Sequence, residues 1–300
     1  MHSCFRRMRT LFCYALLLAH LPAQAADSPH YREWLDFTKA YSEEVGGPTG
    51  MYAIQDMIEL EPGASAHLAS GDVDSLRWIR SAPANPLAQV QYQAPRAVIR
   101  GSGIEERDLL QPRGEALTLP NGLTVRATLL REKVLKLWLY NAALPARRGF
   151  KALDFFTYDP RGVVTGTFRR NAQPVPMSYL DSREQAGTMF VVGTLQVQIN
   201  GKTYDLKAYS HRNDWNEIEA LLLLLRDRTS GKTTYGGGRV VDIHIPKGSP
   251  PQSITFDLNT AYSFLCAHSD FFNCPLALAN KLDTELTFGE KFPPLFSRDR

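Results

Sequence analysis

Two stretches in the last third of the chain contain most of the residues that could do chemistry. The first has the sequence DRTSGKTTYGGGR between Asp227 and Arg239, and the second begins with DLNTAY at Asp257 and ends with GEK at Gly289. Both mix charged, aromatic and glycine residues within a hydrophobic pattern that is otherwise typical of β-strands. The candidate ligand-binding residues in them are Asp227, Tyr235, Arg239, Asp257, Asn259, Tyr262 and Glu290.

Arg239 is the most informative of these residues, because regular strand alternation would place it on an apolar face. A buried charge that loses its partner destabilises a protein by about 3–5 kcal/mol, so a paired carboxylate is expected. Asp227, Asp257 and Glu290 are the candidates for that partner. The pair would either fix the register of the strand or belong to a pocket, where the planar donor fork orients a carboxylate or sugar-like ligand.

Asp257 and Glu290 are also the candidate catalytic residues. Either could act as a general acid or base while Arg239 stabilises developing charge. Asp257 and Asn259 alternate with apolar neighbours, so both side chains are expected to face solvent or a polar cleft. A turn of the Asx type before Tyr262 would explain the same residues without a ligand.

Asp242 and His244 lie two residues apart on a predicted strand and therefore share a face. They could form an acid–base or metal-binding fragment, although solvated strand residues explain them more simply. The Gly-x-Ser-x-Gly and His-Glu-x-x-His signatures of hydrolases do not occur in the sequence.

The glycine-rich segments do not match the known phosphate-binding motifs. Gly231-Lys232-Thr233 lacks the earlier glycine of a phosphate loop, whose position is occupied by Arg226. The three glycines before Arg239 lie in a strand pattern, whereas a dinucleotide fingerprint requires a strand-to-helix turn. We expect them to permit a bulge or a close backbone approach, or to open room for a ligand beside Tyr235.

Cys266 and Cys274 are eight residues apart and predict a disulfide in an oxidising compartment. Closing so short a loop would stabilise the fold by about 2–3 kcal/mol in the chain-entropy model. A zinc site with His268 and a cysteine nucleophile are the alternatives, but the spacing matches no usual zinc pattern. We therefore predict no metal ion, and the cofactor, if there is one, is unknown.

Together these segments resemble the uncharacterised bacterial and archaeal family known as domain of unknown function 1684. The similarity rests on the acidic-x-Thr-x-Gly turn at Asp227, the Thr-Tyr-Gly-rich run that ends at Arg239, the Asp-x-Asn-x-Ala-Tyr segment, the two cysteines with Cys-Pro-Leu, and the following Asn-x-Leu and Gly-Glu-Lys. One extra glycine before Arg239 departs from the family pattern. The resemblance covers residues 130–293 well and the preceding part poorly, and it implies kinship without an activity, cofactor or catalytic residue.

An amphipathic helix is predicted at the start of the mature chain, where it would support these segments. Ser28 is a typical N-cap, and Pro29 occupies the first helical position. Apolar residues then recur at helical spacing as far as Val45, and Gly46-Gly47-Pro48 ends the pattern.

Short β-type runs separated by Gly, Pro and Asn account for most of the remaining sequence. The clearest signal is a hairpin at Asn200-Gly201, because both positions tolerate positive φ. We predict a mainly β fold, an antiparallel sandwich or partly closed barrel with the N-terminal amphipathic helix. The predicted strands are Met51–Leu60, Leu87–Tyr92, Ala97–Arg100, Leu123–Leu130, Val134–Leu139, Val163–Arg169, Met189–Val192, Leu195–Ile199, Tyr204–Ala208, Ala220–Leu225, Thr233–Ile245, Ser253–Asn259 and Leu282–Phe288.

The first 25 residues have the features of a signal peptide. A basic start precedes the short apolar run Leu11–Leu21, and Ala23-Gln24-Ala25 gives a small-x-small cleavage site. Residues 26–300 are predicted to form a single β-rich domain in the periplasm, with Ala143–Arg148 as a possible seam.

The charge balance of the mature chain excludes two classes of partner. The precursor has 34 basic and 31 acidic residues, and cleavage removes Arg6, Arg7 and Arg9, so 31 of each remain. A neutral surface gives no electrostatic footprint for nucleic acid or anionic lipid. Nor does any stretch after the signal peptide reach the length of a membrane span. The oligomeric state is not indicated.

We therefore expect an exported periplasmic protein that binds a small molecule, or serves as an accessory protein, through a polar and aromatic pocket. A hydrolase or lyase that uses Asp257 or Glu290 together with Arg239 is one alternative. A purely structural envelope protein, in which the same residues stabilise a strained fold, is the other.

Overall fold

The computed structural model describes residues 28–292, except for residues 113, 131, 132 and 183. The predicted fold class is confirmed: the chain is mainly β, its sheets are almost entirely antiparallel, and one long helix stands at the N-terminal side. The predicted signal peptide lies outside the described residues. Within them, no helix is both long and apolar enough to cross a membrane.

Helix α1 spans Pro29–Gly46 and begins as predicted. The side chain of Ser28 accepts a hydrogen bond from the backbone N–H of Tyr31 at 3.1 Å, which satisfies one of the free donors of the first turn. Val45 is fully buried, whereas the other residues of the helix are exposed or half-buried. The helix thus packs through one face only.

Two sheets in the first half of the chain share one hydrophobic core, which includes Leu60, Leu68, Val90, Val125 and Leu137. The four-stranded sheet has the order β1-β9-β8-β7, and the five-stranded sheet has the order β3-β2-β4-β5-β6. Their strands are β1 (Ile54–Leu60), β2 (Ser65–Ala69), β3 (Trp78–Ile79), β4 (Pro86–Gln93), β5 (Arg96–Gly101), β6 (Ile104–Asp108), β7 (Ala116–Thr118), β8 (Thr124–Leu130) and β9 (Val134–Tyr140).

The second half of the chain forms an eight-stranded sheet with the order β15-β10-β11-β12-β13-β14-β16, and β17 pairs in parallel with β13. It follows a four-residue helix, α2 (Leu144–Arg147), which occupies the predicted seam. A separate core that includes Leu195, Leu223 and Phe256 lies against this sheet. Its strands are β10 (Val163–Leu180), β11 (Ala186–Ile199), β12 (Lys202–Ser210), β13 (Ala220–Arg226), β14 (Arg239–His244), β15 (Ser253–Asp257), β16 (Tyr262–Ser263) and β17 (Asn280–Lys281).

The hairpin between β11 and β12 forms as predicted. Ile199 pairs with Lys202, and the two residues between them have φ values of 50° at Asn200 and 76° at Gly201. Both values lie in the left-handed region that a two-residue hairpin requires.

Some strand bounds differ from the prediction. Met51–Ala53 forms a 3-10 turn before β1, and the predicted Val163–Arg169 and Met189–Val192 are parts of the longer strands β10 and β11. The hydrophobic pattern underestimated the length of β10, because prolines and polar residues interrupt the second half of the strand.

The predicted strand Thr233–Ile245 is wrong in its first half, since β14 begins only at Arg239. The N–H of Gly238 donates to the carbonyl of Tyr235 at 3.0 Å and closes a turn there. Gly238 has a φ of 107°, and a Cβ atom on it would lie 2.3 Å from the carbonyl oxygen of Leu225. Glycine is therefore required for a close backbone approach to β13.

The predicted strand Leu282–Phe288 is also wrong, and only Asn280–Lys281 forms a short strand in this region. The carbonyl oxygens of Leu286 and Phe288 accept hydrogen bonds from Arg239, and the N–H of Leu286 donates to Asp227. Backbone groups that would otherwise join a ladder thus bind a buried ion pair.

We expect Gly238→Ala to lower the free energy of unfolding by more than the roughly 1–2 kcal/mol of backbone strain, because the new Cβ also meets the carbonyl of Leu225. Gly63→Ala is the control, since Gly63 has a φ of 91° and no atom within 4 Å of the added Cβ. Urea unfolding measures both. Equal losses would show that the close approach contributes nothing.

Candidate functional site

Arg239 and Asp227 form a buried ion pair, with 2.8 Å between Nη2 and Oδ2 and side-chain exposures of 1% and 0%. Nη2 also donates to the carbonyl of Leu286 at 2.9 Å, and Nη1 donates to the carbonyl of Phe288. The other carboxylate oxygen of Asp227 accepts from the backbone and hydroxyl of Thr229 at 2.8 and 2.6 Å. Burial lowers the pKa of Arg239, and Asp227 opposes this effect. The pair joins a turn, a strand and the C-terminal segment.

Asp257 and Asn259 form the Asx-type turn that the sequence analysis weighed. Asp257 Oδ1 accepts from the backbone N–H of Asn259 at 2.8 Å, and β15 ends there. Because the strand alternation stops at this point, Asn259 is fully buried, contrary to the expected polar face. Its amide donates to the carbonyl of Asp159 at 2.8 Å and accepts from the N–H of Asp159 at 3.1 Å. Both residues thus hold two loops together.

Glu290 lies in a second buried polar cluster. Its Oε2 accepts from the backbone N–H of Ser263 at 2.8 Å, and its Oε1 lies 3.3 Å from Nε2 of His268. The side chains of Glu290 and His268 are both 0% exposed. The other ring nitrogen of His268 lies 3.4 Å from the hydroxyl of Tyr52, which precedes β1. The cluster therefore connects the two halves of the chain.

Tyr235 contacts Cys266, and Cys266 and Cys274 are both free thiols in this structure. Its hydroxyl lies 3.6 Å from Sγ of Cys266, and the backbone N–H of Cys266 donates to Sγ of Cys274 at 3.2 Å. A hydrogen bond between the thiols lowers the pKa of Cys266 and raises the pKa of Cys274. The predicted disulfide is therefore not formed in this structure.

A cleft of about 590 Å³ lies between α1, the four-stranded sheet and the eight-stranded sheet, and we call it the inter-sheet cleft. It lies at the contact between the two halves of the chain. Five aromatic side chains and four charged side chains contribute to its walls. The lining residues are Phe37, Tyr41, Glu43, Glu44, Thr49, Gly50, Met51, Ile54, Arg126, Tyr140, Asp242, Tyr262, Leu265 and Phe272.

Tyr262 and Asp242 form one wall of the inter-sheet cleft. The hydroxyl of Tyr262 donates to Oδ2 of Asp242 at 2.9 Å, and its ring centroid lies 5.1 Å from that of Tyr41. The side chain of Asp242 is exposed by area, yet the surrounding walls reduce its solvation and raise its pKa, against the effect of the Tyr262 hydroxyl. The pKa values of Tyr41 and Tyr262 are raised, mainly because both side chains are buried, and the charge of Glu44 adds to both increases.

Arg126 and Tyr140 contribute from the four-stranded sheet. They lie on the neighbouring strands β8 and β9, and burial raises the pKa of Tyr140 while the positive charge of Arg126 opposes that increase. The Nε atom of Arg126 is buried and has no hydrogen-bond partner among the described residues. A guanidinium and a carboxylate thus reach one cleft from different sheets.

A second cavity, of about 950 Å³, lies between α1 and residues 150–157. Its lining includes Trp34, Leu35, Lys39, Phe155 and Thr157. None of the candidate residues lines it.

The seven candidate ligand-binding residues therefore do not form one pocket. Tyr262 lines the inter-sheet cleft, whereas the other six lie in the buried ion pair, the Asx turn, the Glu290 cluster and the cysteine contact. Sequence reasoning missed Tyr41 and Arg126, and it took Asp242 for a solvated strand residue. The one available signal was the shared polar face of Asp242 and His244, both of which are exposed.

No group suited to a metal ion is found in the described part of the chain, where no three His, Cys, Asp or Glu side chains lie close enough together. His268, which the sequence analysis weighed with the cysteines as a zinc ligand, contacts Glu290 and Tyr52. Its imidazole is therefore part of the buried polar cluster.

Comparisons with known proteins give a family but no activity. Residues 148–291 match the model of a family described as a protein of unknown function, DUF1684. No curated protein matches the chain. The chain is similar to the solution NMR structure of the uncharacterized protein from gene locus rrnAC0354 of Haloarcula marismortui, with 33% identity over 48% of this chain and 78% of that chain and a TM-score of 0.41. Because that TM-score is low, the kinship rests on the sequence.

Arg239→Met is expected to lower the free energy of unfolding by about 3–5 kcal/mol, because Asp227 would stay buried without its partner. Arg228→Met is the matched control, since Arg228 pairs with Asp283 in solvent and such pairs contribute about 0–1 kcal/mol. Adding Asp227→Asn to Arg239→Met should recover part of the loss by removing the buried charge. Chemical denaturation measures all variants, and similar losses for Arg239→Met and Arg228→Met would contradict the assignment.

The stability of the protein is expected to depend on pH through Asp257, because burial raises the pKa of its carboxyl above the unfolded value of 3.8. The contribution of this group to the free energy of unfolding is complete below 3.8 and is lost as the pH rises through the higher folded pKa. Asp257→Asn keeps a turn-capping side chain and does not ionise. The stability of the wild type relative to this variant should therefore fall with pH over that window, and a constant or rising difference would disprove the shift.

Proposed function

The chain belongs to the DUF1684 family through residues 148–291, and on that premise we propose that it is an exported periplasmic protein that binds a small organic molecule in the inter-sheet cleft. The observation that supports this proposal most directly is the lining of the cleft, which combines aromatic rings with charged groups of both signs. Its volume of about 590 Å³ lies within the range of small-molecule sites.

The packing around the inter-sheet cleft favours a preformed site. Tyr41 stacks with Phe37 at 5.6 Å and also contacts Tyr262, so α1 is held against the eight-stranded sheet by aromatic rings. Tyr41 also lies edge-on to His268 at 6.3 Å, which connects this wall to the buried Glu290 cluster. A ligand then meets side chains whose freedom is already restricted, and this lowers the entropic cost of binding.

Binding is better supported than acid–base catalysis by Asp257 or Glu290. Asp257 caps a turn, and Glu290 is fully buried against Ser263 and His268. A catalytic carboxylate must come within hydrogen-bond reach of the substrate. Neither residue lines the inter-sheet cleft, and both terminal nitrogens of Arg239 already donate to protein acceptors.

A structural role is the second candidate function, favoured by the ion pair between Arg239 and Asp227. This pair uses two characteristic residues of the family-like segment and is sealed from solvent. A protein whose family-like residues served only this purpose would bind nothing in the cleft.

The proposal includes export and a disulfide between Cys266 and Cys274. The basic and apolar start with its small-x-small site supports cleavage before Ala26. The two thiols lie close enough to interact, and an oxidising compartment would join such neighbouring thiols in a disulfide.

The masses of protein isolated from the periplasm test these points together. The denatured mass should correspond to a chain that starts at Ala26 and is about 2 Da lighter than the reduced form, because the bond removes one hydrogen from each sulfur. The native mass should exceed the denatured mass by that of a bound molecule. The full reduced mass would contradict the disulfide, an uncleaved chain would contradict export, and no excess mass would contradict binding that survives isolation.

A pair of matched substitutions locates the bound molecule. Thr49→Trp places a large ring at the exposed rim of the inter-sheet cleft and should reduce the retained excess mass. Thr157→Trp makes the same change at an exposed position of the second cavity and should leave it unchanged. The opposite result would move the site to the second cavity.

A further inference from the structure

The carboxylates of the inter-sheet cleft lie on the side of α1 and the eight-stranded sheet. Asp242 uses Oδ2 to accept from Tyr262, and its exposed side chain keeps Oδ1 for another donor. Glu44 is exposed on α1 and lies near enough to Tyr41 and Tyr262 for its charge to raise both phenol pKa values, in addition to the larger effect of burial. Two carboxylates thus flank one pair of rings.

The rings between these carboxylates suit a cation as well. The ring centroids of Tyr41 and Tyr262 are 5.1 Å apart, and that of Phe37 lies 6.4 Å from that of Tyr262. The faces of aromatic rings attract ammonium groups, and the attraction is stronger where water is excluded. The hydroxyl of Tyr41 is buried and has no hydrogen-bond partner among the described residues, so it can accept from an ammonium group.

The wall from the four-stranded sheet has the opposite charge. Arg126 lines the cleft beside Tyr140, and its buried Nε donor has no partner in the described part of the protein. An unpaired buried donor is costly, and a carboxylate ligand would satisfy it while binding the guanidinium in its plane. Arg126 therefore takes the role that the sequence analysis considered for Arg239.

From this division of charge we propose that the ligand of the inter-sheet cleft is a zwitterion, with an ammonium group between Asp242, Glu44 and the Tyr41–Tyr262 pair and a carboxylate on Arg126. The class includes amino acids and short peptides. This inference rests on the proposed binding function. A simple cation would leave the buried Nε of Arg126 without an acceptor, and a simple anion would face the carboxylates of Asp242 and Glu44.

Titration calorimetry with a series of chain lengths tests the ligand class. The probes are glycine, β-alanine, γ-aminobutyrate and ε-aminocaproate, each compared with the alkylamine and the alkanoate of equal length. We expect one zwitterion, of the length that spans the two walls, to bind at least about tenfold more tightly than either singly charged analogue. An amine or alkanoate that binds as tightly as the zwitterion overturns the proposal.

Two substitutions assign the ends of the ligand. Asp242→Asn should lower the affinity for the best zwitterion and its amine about tenfold, and it should not lower the affinity for the alkanoate. Arg126→Gln should lower the affinity for the zwitterion and the alkanoate and leave the amine unchanged. Arg100→Gln is the control, because Arg100 pairs with Glu106 in solvent away from the cleft. Equal effects of Asp242→Asn and Arg126→Gln on all three probes would also overturn the proposal.

The failure of the ligand class is distinguishable from the failure of the binding function. If no probe binds the wild type, the zwitterion proposal is wrong. The excess mass of the protein as isolated, compared between the wild type, Thr49→Trp and the control Thr157→Trp, then shows separately whether the cleft binds a molecule of another class.

Discussion

The C-terminal half of the structure depends on the ion pair between Arg239 and Asp227. A guanidinium and a carboxylate at this depth are tolerated only when nearly every donor and acceptor is satisfied. The surrounding backbone supplies partners at Thr229, Leu286 and Phe288, and only Nε of Arg239 lacks one among the described residues. One electrostatic constraint therefore sets the start of β14 at Arg239 and prevents a strand after β17. It also brings the C-terminal segment under the sheet, where Glu290 reaches Ser263 and His268.

The local elements could be predicted from the sequence because their causes are local. A capping serine followed by proline determines the start of α1, and two residues with positive φ determine the hairpin at Asn200. The pairing of Arg239 with a carboxylate followed from the cost of burying a charge, and Asp227 was among the three candidates. The extent of β14 and the irregular path of 282–288 did not follow, because hydrophobic alternation does not show that backbone carbonyls serve a side chain.

The inter-sheet cleft was beyond sequence reasoning for a different reason. Alternation predicts which side chains share a face, but it does not predict which faces meet in the folded protein. The cleft is lined by residues from distant parts of the chain, namely Tyr41, Arg126 and Asp242. They lie on elements whose formation is determined by separate local patterns. Tyr262 was identified because it belongs to a distinctive segment. The polar motif thus predicted the residues that form buried polar contacts better than it predicted the residues that line the cleft.

The two halves of the chain have separate hydrophobic cores, and the inter-sheet cleft lies where they meet. A molecule that contacts both walls binds only while both halves are folded and docked. Its binding free energy therefore stabilises the state in which both halves are folded and docked, and not either core alone. Without it, the two halves are coupled through α1, the contact of Tyr52 with His268 and a hydrophobic cluster in which Trp138 stacks on Phe272. Occupancy would thus favour melting in one transition over melting as two units of unequal stability.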